Sequence, residues 1–139
     1  MITETKFIVR YAETDQMGVV HHSVYPIWFE AARTDLLLKA GLSYSQMEAD
    51  GLMLPLAELR CRYKSPARYE DEVVVEAAIS KLTYVRVFFD YKVYRAADRR
   101  LLAEGCTVHA CTDKTLRPVN AAKAFPELYD AVKKLIEKD

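Results

Sequence analysis

At 139 residues the chain suits a single domain over 1–139, large enough to bury a core without disulfides or a structural metal. Hydrophobic residues make up 51% and charged residues 29%, which excludes disordered and fibrous classes. Twenty basic residues balance twenty acidic ones, so a nucleic-acid partner has no global electrostatic footprint to bind and none is expected.

The first segment, Thr5 to Tyr11, reads as a short strand with Phe7 and Val9 on one face. A polar loop, AETDQMG, follows and ends at Gly18, where a residue free to take positive φ permits a sharp turn. From about His22 to Ala40 the pattern is helical, with Ser23 as N-cap, Pro26 in the first turn and Gly41 as the stop. Val24, Ile27, Phe29, Ala31, Ala32, Leu36, Leu37 and Leu38 leave little of its circumference polar, which predicts a helix enclosed by the core. Glu30 and Arg33 are spaced to pair along one face. Ser43 to Gly51 predicts a short second helix.

Strands come next, over Leu52 to Tyr63 and Val73 to Leu82. In Val85 to Tyr94, Val85, Val87, Phe89, Tyr91 and Val93 alternate with Arg86, Asp90 and Lys92, although Phe88 and Tyr94 interrupt the polar face. AADRR fits a turn before a last strand, Leu101 to Cys111, with Leu102, Cys106, Val108 and Ala110 on one side. Pro126 opens an amphipathic helix to about Lys138, striped by Leu128, Val132, Leu135 and Ile136. One buried helix followed by four strands points to an α+β domain, a helix wrapped by an antiparallel sheet whose free edges favour self-association.

Cys61, Cys106 and Cys111 form an odd set with no CxxC pair, which fits free thiols in a cytoplasmic setting. Three histidines and three cysteines lack ligand spacing, so neither metal nor cofactor is expected. MITETKFIVRY lacks the basic start and apolar stretch of a signal peptide. No apolar run reaches the roughly 20 residues of a membrane span.

Chemistry concentrates in YAETDQMGVVHHSVYPIWFEAAR, Tyr11 to Arg33. It places the Asp15 carboxylate on a loop that runs through Gly18 into a helix start, where free N–H donors can stabilise an oxyanion. Such a carboxylate can attack an acyl carbon or activate water, and the residues alone do not choose. Taken singly, Asp15 also fits a plain turn residue, and Trp28, Phe29, Phe88 and Phe89 fit core positions.

The stretch VRYAETDQMGVVHHSVYPIWFEAAR resembles the signature of the 4-hydroxybenzoyl-CoA thioesterase family, and within it the small acyl-CoA thioesterases often encoded beside the Tol–Pal system. Glu13, Thr14, Asp15, Gly18, Val19, Val20, His22, Tyr25, Glu30 and Arg33 fall at the family's spacing. YKSPARYEDEV (Tyr63 to Val73) and LRPVN extend the likeness more loosely over nearly the whole chain. Met17 and His21 depart from the pattern, standing where Gly and Tyr are usual.

The resemblance implies a hot-dog fold of about five strands and hydrolysis of an acyl-CoA thioester to free acid and CoA, or of the same group on acyl-carrier protein. It implies Asp15 as catalytic nucleophile or general base, and the backbone amide at His22 as the group polarising the thioester carbonyl, with its ring assisting substrate. Tyr11, Gly18 and Tyr25 would shape the substrate site. Homodimers with a shared sheet and inter-subunit sites, or homotetramers, are further implied. Lys64, Arg68, Lys81 and Arg86 are candidates for the CoA phosphates.

A hot-dog hydratase or dehydratase is the nearest alternative. Its familiar arrangement resembles Asp-x4-His, whereas Asp15 and His22 are seven apart and Glu30 has no clear histidine partner. A non-catalytic acyl-CoA-binding protein is the alternative of a different class.

Overall fold

A computed structural model of the chain describes residues 1–137. Strand β1 (Ile2–Ile8) starts earlier than expected; Phe7 packs against the core and Val9, just past the strand, is buried in it. The long helix α1 (Val24–Lys39) and the short α2 (Tyr44–Ala49) follow. Four strands complete the sheet, β2 (Leu56–Tyr63), β3 (Glu72–Leu82), β4 (Arg86–Arg95) and β5 (Leu101–Ala110). All neighbours are antiparallel, in the order β1-β3-β4-β5-β2. A one-turn α3 (Ala121–Ala124) then leads into α4 (Pro126–Glu137), opened by Pro126 as expected; Lys138 lies outside the described residues. This is the α+β hot dog.

Three expectations need correction. Helix α1 is buried on one side only: Val24, Tyr25, Trp28, Phe29, Ala32, Leu36 and Leu37 face the core, while Ile27 (61%) and Leu38 (58%) stay open to solvent. A sheet covers one stripe of a helix, so apolar residues beyond that stripe have nothing in the same chain to pack on. Strand β2 begins four residues later than expected, after Pro55, which lacks the N–H a ladder needs; upstream only Met53 forms an isolated bridge, with Thr112. Arg33 does not pair with Glu30. Its guanidinium turns inward and donates to the Tyr44 hydroxyl at 3.1 Å and the Tyr91 hydroxyl at 3.0 Å.

The phase of β5 is also informative. Its register sets Gly105, Thr107 and His109 opposite Tyr91, Phe89 and Val87, the buried residues of β4. The side toward α1 is thus the less apolar one, and Cys106 and Val108 alternate to the other. Gly105 makes room for Phe29, which stacks on Tyr91 with ring centroids 4.3 Å apart.

Arg33, Tyr91, Thr107 and His109 form a hydrogen-bond chain whose direction can be worked out. The Leu54 carbonyl accepts only, so His109 Nδ1 carries the proton at 3.1 Å. Nε2 must then accept from Thr107 Oγ1 at 3.0 Å, so the Thr107 oxygen accepts from the Tyr91 hydroxyl at 2.7 Å. The Tyr91 oxygen in turn accepts from Arg33. Protonating His109 would reverse this order and add a cation to a buried network. Burial foremost, and the Arg33 charge second, hold its imidazole down to about 4 from an ordinary 6.5.

The sign follows from linkage. Between those values the unfolded chain binds the extra proton, so this contribution is whole above pH 6.5, falls with acidification and levels off below about 4. The expected loss is on the order of 3 kcal/mol. Urea midpoints from pH 7 to 4 measure it, and His109→Gln should flatten the part of the slope above pH 5.

Candidate active site

The loop after β1 is a closed structure. Residues Tyr11–Glu13 make one turn of 3-10 helix, and Thr14 bridges to Val20. The Asp15 amide donates to the Val19 carbonyl at 2.9 Å, and the His21 amide donates to the Glu13 carbonyl at 2.9 Å. Gly18 sits at φ +80 with open space around a would-be Cβ, so backbone conformation rather than crowding calls for glycine there. Glu13 anchors the loop from beneath. Its buried carboxylate accepts from the Arg10 amide at 2.8 Å and from the Trp28 indole N–H of α1 at 3.3 Å.

Within this frame Asp15 is half-buried. Its Oδ1 accepts the Met17 amide at 2.9 Å, and among the described residues nothing donates to Oδ2. The start of α1 departs from expectation in one respect. Ser23 stands at the N-cap position but in helical conformation, and its side chain caps nothing. Instead its hydroxyl lies 2.7 Å from His21 Nδ1, which also accepts the Ser23 amide at 3.2 Å. A ring nitrogen that accepts from a backbone amide is unprotonated, so His21 takes over part of the cap. Val24 donates to the His21 carbonyl at 3.0 Å. The His22 amide lies between these bonded neighbours and, among the described residues, has no acceptor.

Asp15 borders two depressions. One, of about 320 Å³, is lined by Asp15, Val20, His22, Tyr25, Tyr63 and Lys64 among others. The other, of about 470 Å³, is lined by Tyr11, Thr14, Asp15, Gln16, Gly18 and Tyr69. The fold thus brings Asp15, His22 and Tyr25 together and sets Tyr11 and Gly18 on the far side of the carboxylate. Tyr25 is 3% exposed and stands edge-on to Trp28 and Tyr63, whereas Tyr11 is 77% exposed and rests against Tyr69.

Of the basic candidates, Lys64 lines the first depression. Lys81 and Arg86 flank the β3–β4 turn, at the end of the sheet away from the Asp15 loop, and Arg68 is exposed on the β2–β3 link. Sequence reasoning assigned no site role to Tyr63, which donates to the His22 carbonyl at 3.0 Å. The partners lie 41 residues apart in sequence, and no local pattern connects them. Among the described residues no cluster of three or more His, Cys, Asp or Glu is arranged to hold a metal ion, and no helix is long and apolar enough to cross a membrane.

Asp15 and His22, whose amide has no acceptor among the described residues, line one depression at the start of α1, and a carboxylate with a free N–H is a pairing that acyl transfer can use. The chain belongs to the thioesterase-like superfamily, whose family profile matches residues 9–134. It is 35% identical over 134 residues to the Bacillus subtilis (strain 168) protein named "Putative acyl-CoA thioesterase YneP", covering 96% of each chain. Among solved structures, a hypothetical protein from Thermus thermophilus is 41% identical with a TM-score of 0.87, covering 97% of this chain and 98% of that one. The DHNA-CoA thioesterase of Staphylococcus aureus is 34% identical with a TM-score of 0.90, covering 96% and 89%.

Proposed function

We propose that the protein is an acyl-CoA thioesterase, hydrolysing the thioester to free acid and CoA with Asp15 as the catalytic carboxylate. The observation that carries this is that Asp15 and His22, whose amide has no acceptor among the described residues, line the same depression. A thioester carbonyl is electrophilic, so one carboxylate and one aligned donor suffice. Either Asp15 attacks the carbonyl carbon, expelling CoA thiolate and leaving an anhydride that water opens, or it takes a proton from the water that attacks. In both routes the His22 N–H holds the oxyanion. Lys64, which lines that depression, would be the basic group nearest a phosphate-bearing arm of the substrate, and a thioester of acyl-carrier protein presents the same reacting group.

The test is thiol release from a panel of acyl-CoAs of different chain length and aromaticity. No release from any, nor from acyl-carrier-protein thioesters, would overturn the assignment. A single turnover in ¹⁸O-water with enzyme in excess separates the two routes, because only the anhydride route can transfer an Asp15 oxygen to the product and leave the label in Asp15.

Assembly forms part of this proposal. Strand β2 ends the sheet with its outer edge unpaired among the described residues, and Leu56, Leu59 and Tyr63 are exposed along it. An open strand of this kind pairs with another or is shielded. A second copy along β2 gives a homodimer with a continuous sheet and the site beside the junction, and two dimers give a tetramer. Light scattering should return twice or four times the chain mass; a fully active monomer would refute the shared arrangement.

A further inference from the structure

We propose that Tyr63 is a positioning residue for this reaction: by donating to the His22 carbonyl, its phenol holds the segment before α1 in the orientation that presents the His22 amide to the oxyanion. The inference rests on the thioesterase reading above. The segment is tied at its other points by local bonds, His21 to the Glu13 carbonyl, Ser23 to the His21 ring and Val24 to the His21 carbonyl. The His22 carbonyl is fixed instead from outside, by strand β2.

The phenol is itself aimed. Its ring stands edge-on to Tyr25 at 5.1 Å, and Tyr25 stands edge-on to Trp28 at 5.0 Å, so a stack rooted in the core sets its direction. A phenol, with an ordinary pKa of about 10, keeps its donor proton in place at neutral pH. A donor stabilises developing charge best when it needs no reorientation as the charge appears. A hydrogen bond that preserves that alignment therefore acts on the transition state more than on bound substrate.

Tyr63→Phe keeps the ring against Tyr25 and deletes only the hydroxyl. The expected result is a fall of roughly tenfold in kcat, KM within twofold of the parent and an unchanged far-UV spectrum. Amide ¹⁵N relaxation without substrate should show lower order at His22 and Ser23. Parental kcat, a rise in KM alone, or unchanged order at both amides would each overturn the inference while leaving the thioesterase reading intact. If the parent releases no thiol, the reading fails and the inference falls with it.

Discussion

Asp15→Asn lowers kcat/KM for acyl-CoA hydrolysis by about a thousandfold, with the loss in kcat, and leaves the melting temperature within a few degrees of the parent. The asparagine keeps the shape of the side chain, and its amide oxygen still accepts the Met17 amide that closes the turn. What it loses is the charge and lone pair at Oδ2, the oxygen that no described group engages. A thousandfold corresponds to about 4 kcal/mol of transition-state stabilisation, a size that a missing nucleophile or base explains and a lost turn does not. The remaining rate is expected from substrate binding and the proposed His22 donor, which the substitution leaves in place. A variant with parental kcat would remove Asp15 from the chemistry. A collapse in melting temperature would show instead that its work is structural.

Gly105→Ala carries the largest expected effect on stability, a loss of about 3 kcal/mol or more. A Cβ at this position would lie 2.5 Å from the Arg60 carbonyl oxygen and 2.7 and 2.9 Å from two Phe29 ring atoms. The ring is held flat against Tyr91, and the carbonyl belongs to the neighbouring strand β2, so neither neighbour can yield cheaply. Relief requires either lifting α1 from the sheet or parting β2 from β5. Because the Phe29 clash is only part of the problem, Phe29→Leu should recover a fraction of the loss in the double variant and no more. Urea unfolding of the two single variants and the double checks both statements, and a Gly105→Ala protein as stable as the parent would refute the close approach.

Periodicity carried the order of elements well, because strands of alternating residues and a helix of continuous apolar residues announce themselves locally. The family resemblance over Glu13 to Arg33 drew attention to the Asp15 loop and the helix start, where the residues alone left Asp15 open as a plain turn residue. The inner face of β5 was hidden because its residues answer to a particular neighbour. Gly105 yields to an aromatic ring on another element, and Thr107 and His109 complete a polar chain that begins at Arg33. Arg33 itself looked like half of a helix-surface pair, since Glu30 lies one turn away; only the fold brings Tyr44 and Tyr91 within reach. Tyr63 and Lys64 reach the site from the edge of the sheet, a relation set by topology. Ile27 and Leu38 read as core from the apolar run of the helix and lie open in the single chain, beyond the stripe of α1 that the sheet covers.

Trp28 is the one tryptophan in the sequence, and its indole N–H meets the Glu13 carboxylate two positions before Asp15. Its ring also lies between Phe7 and Tyr25, linking the first strand to the wall of the site. The molecule therefore carries a native fluorophore at the root of its reactive loop. Emission from that single indole reports the local state of the loop without an added label, and loosening there shifts the signal while the sheet remains intact.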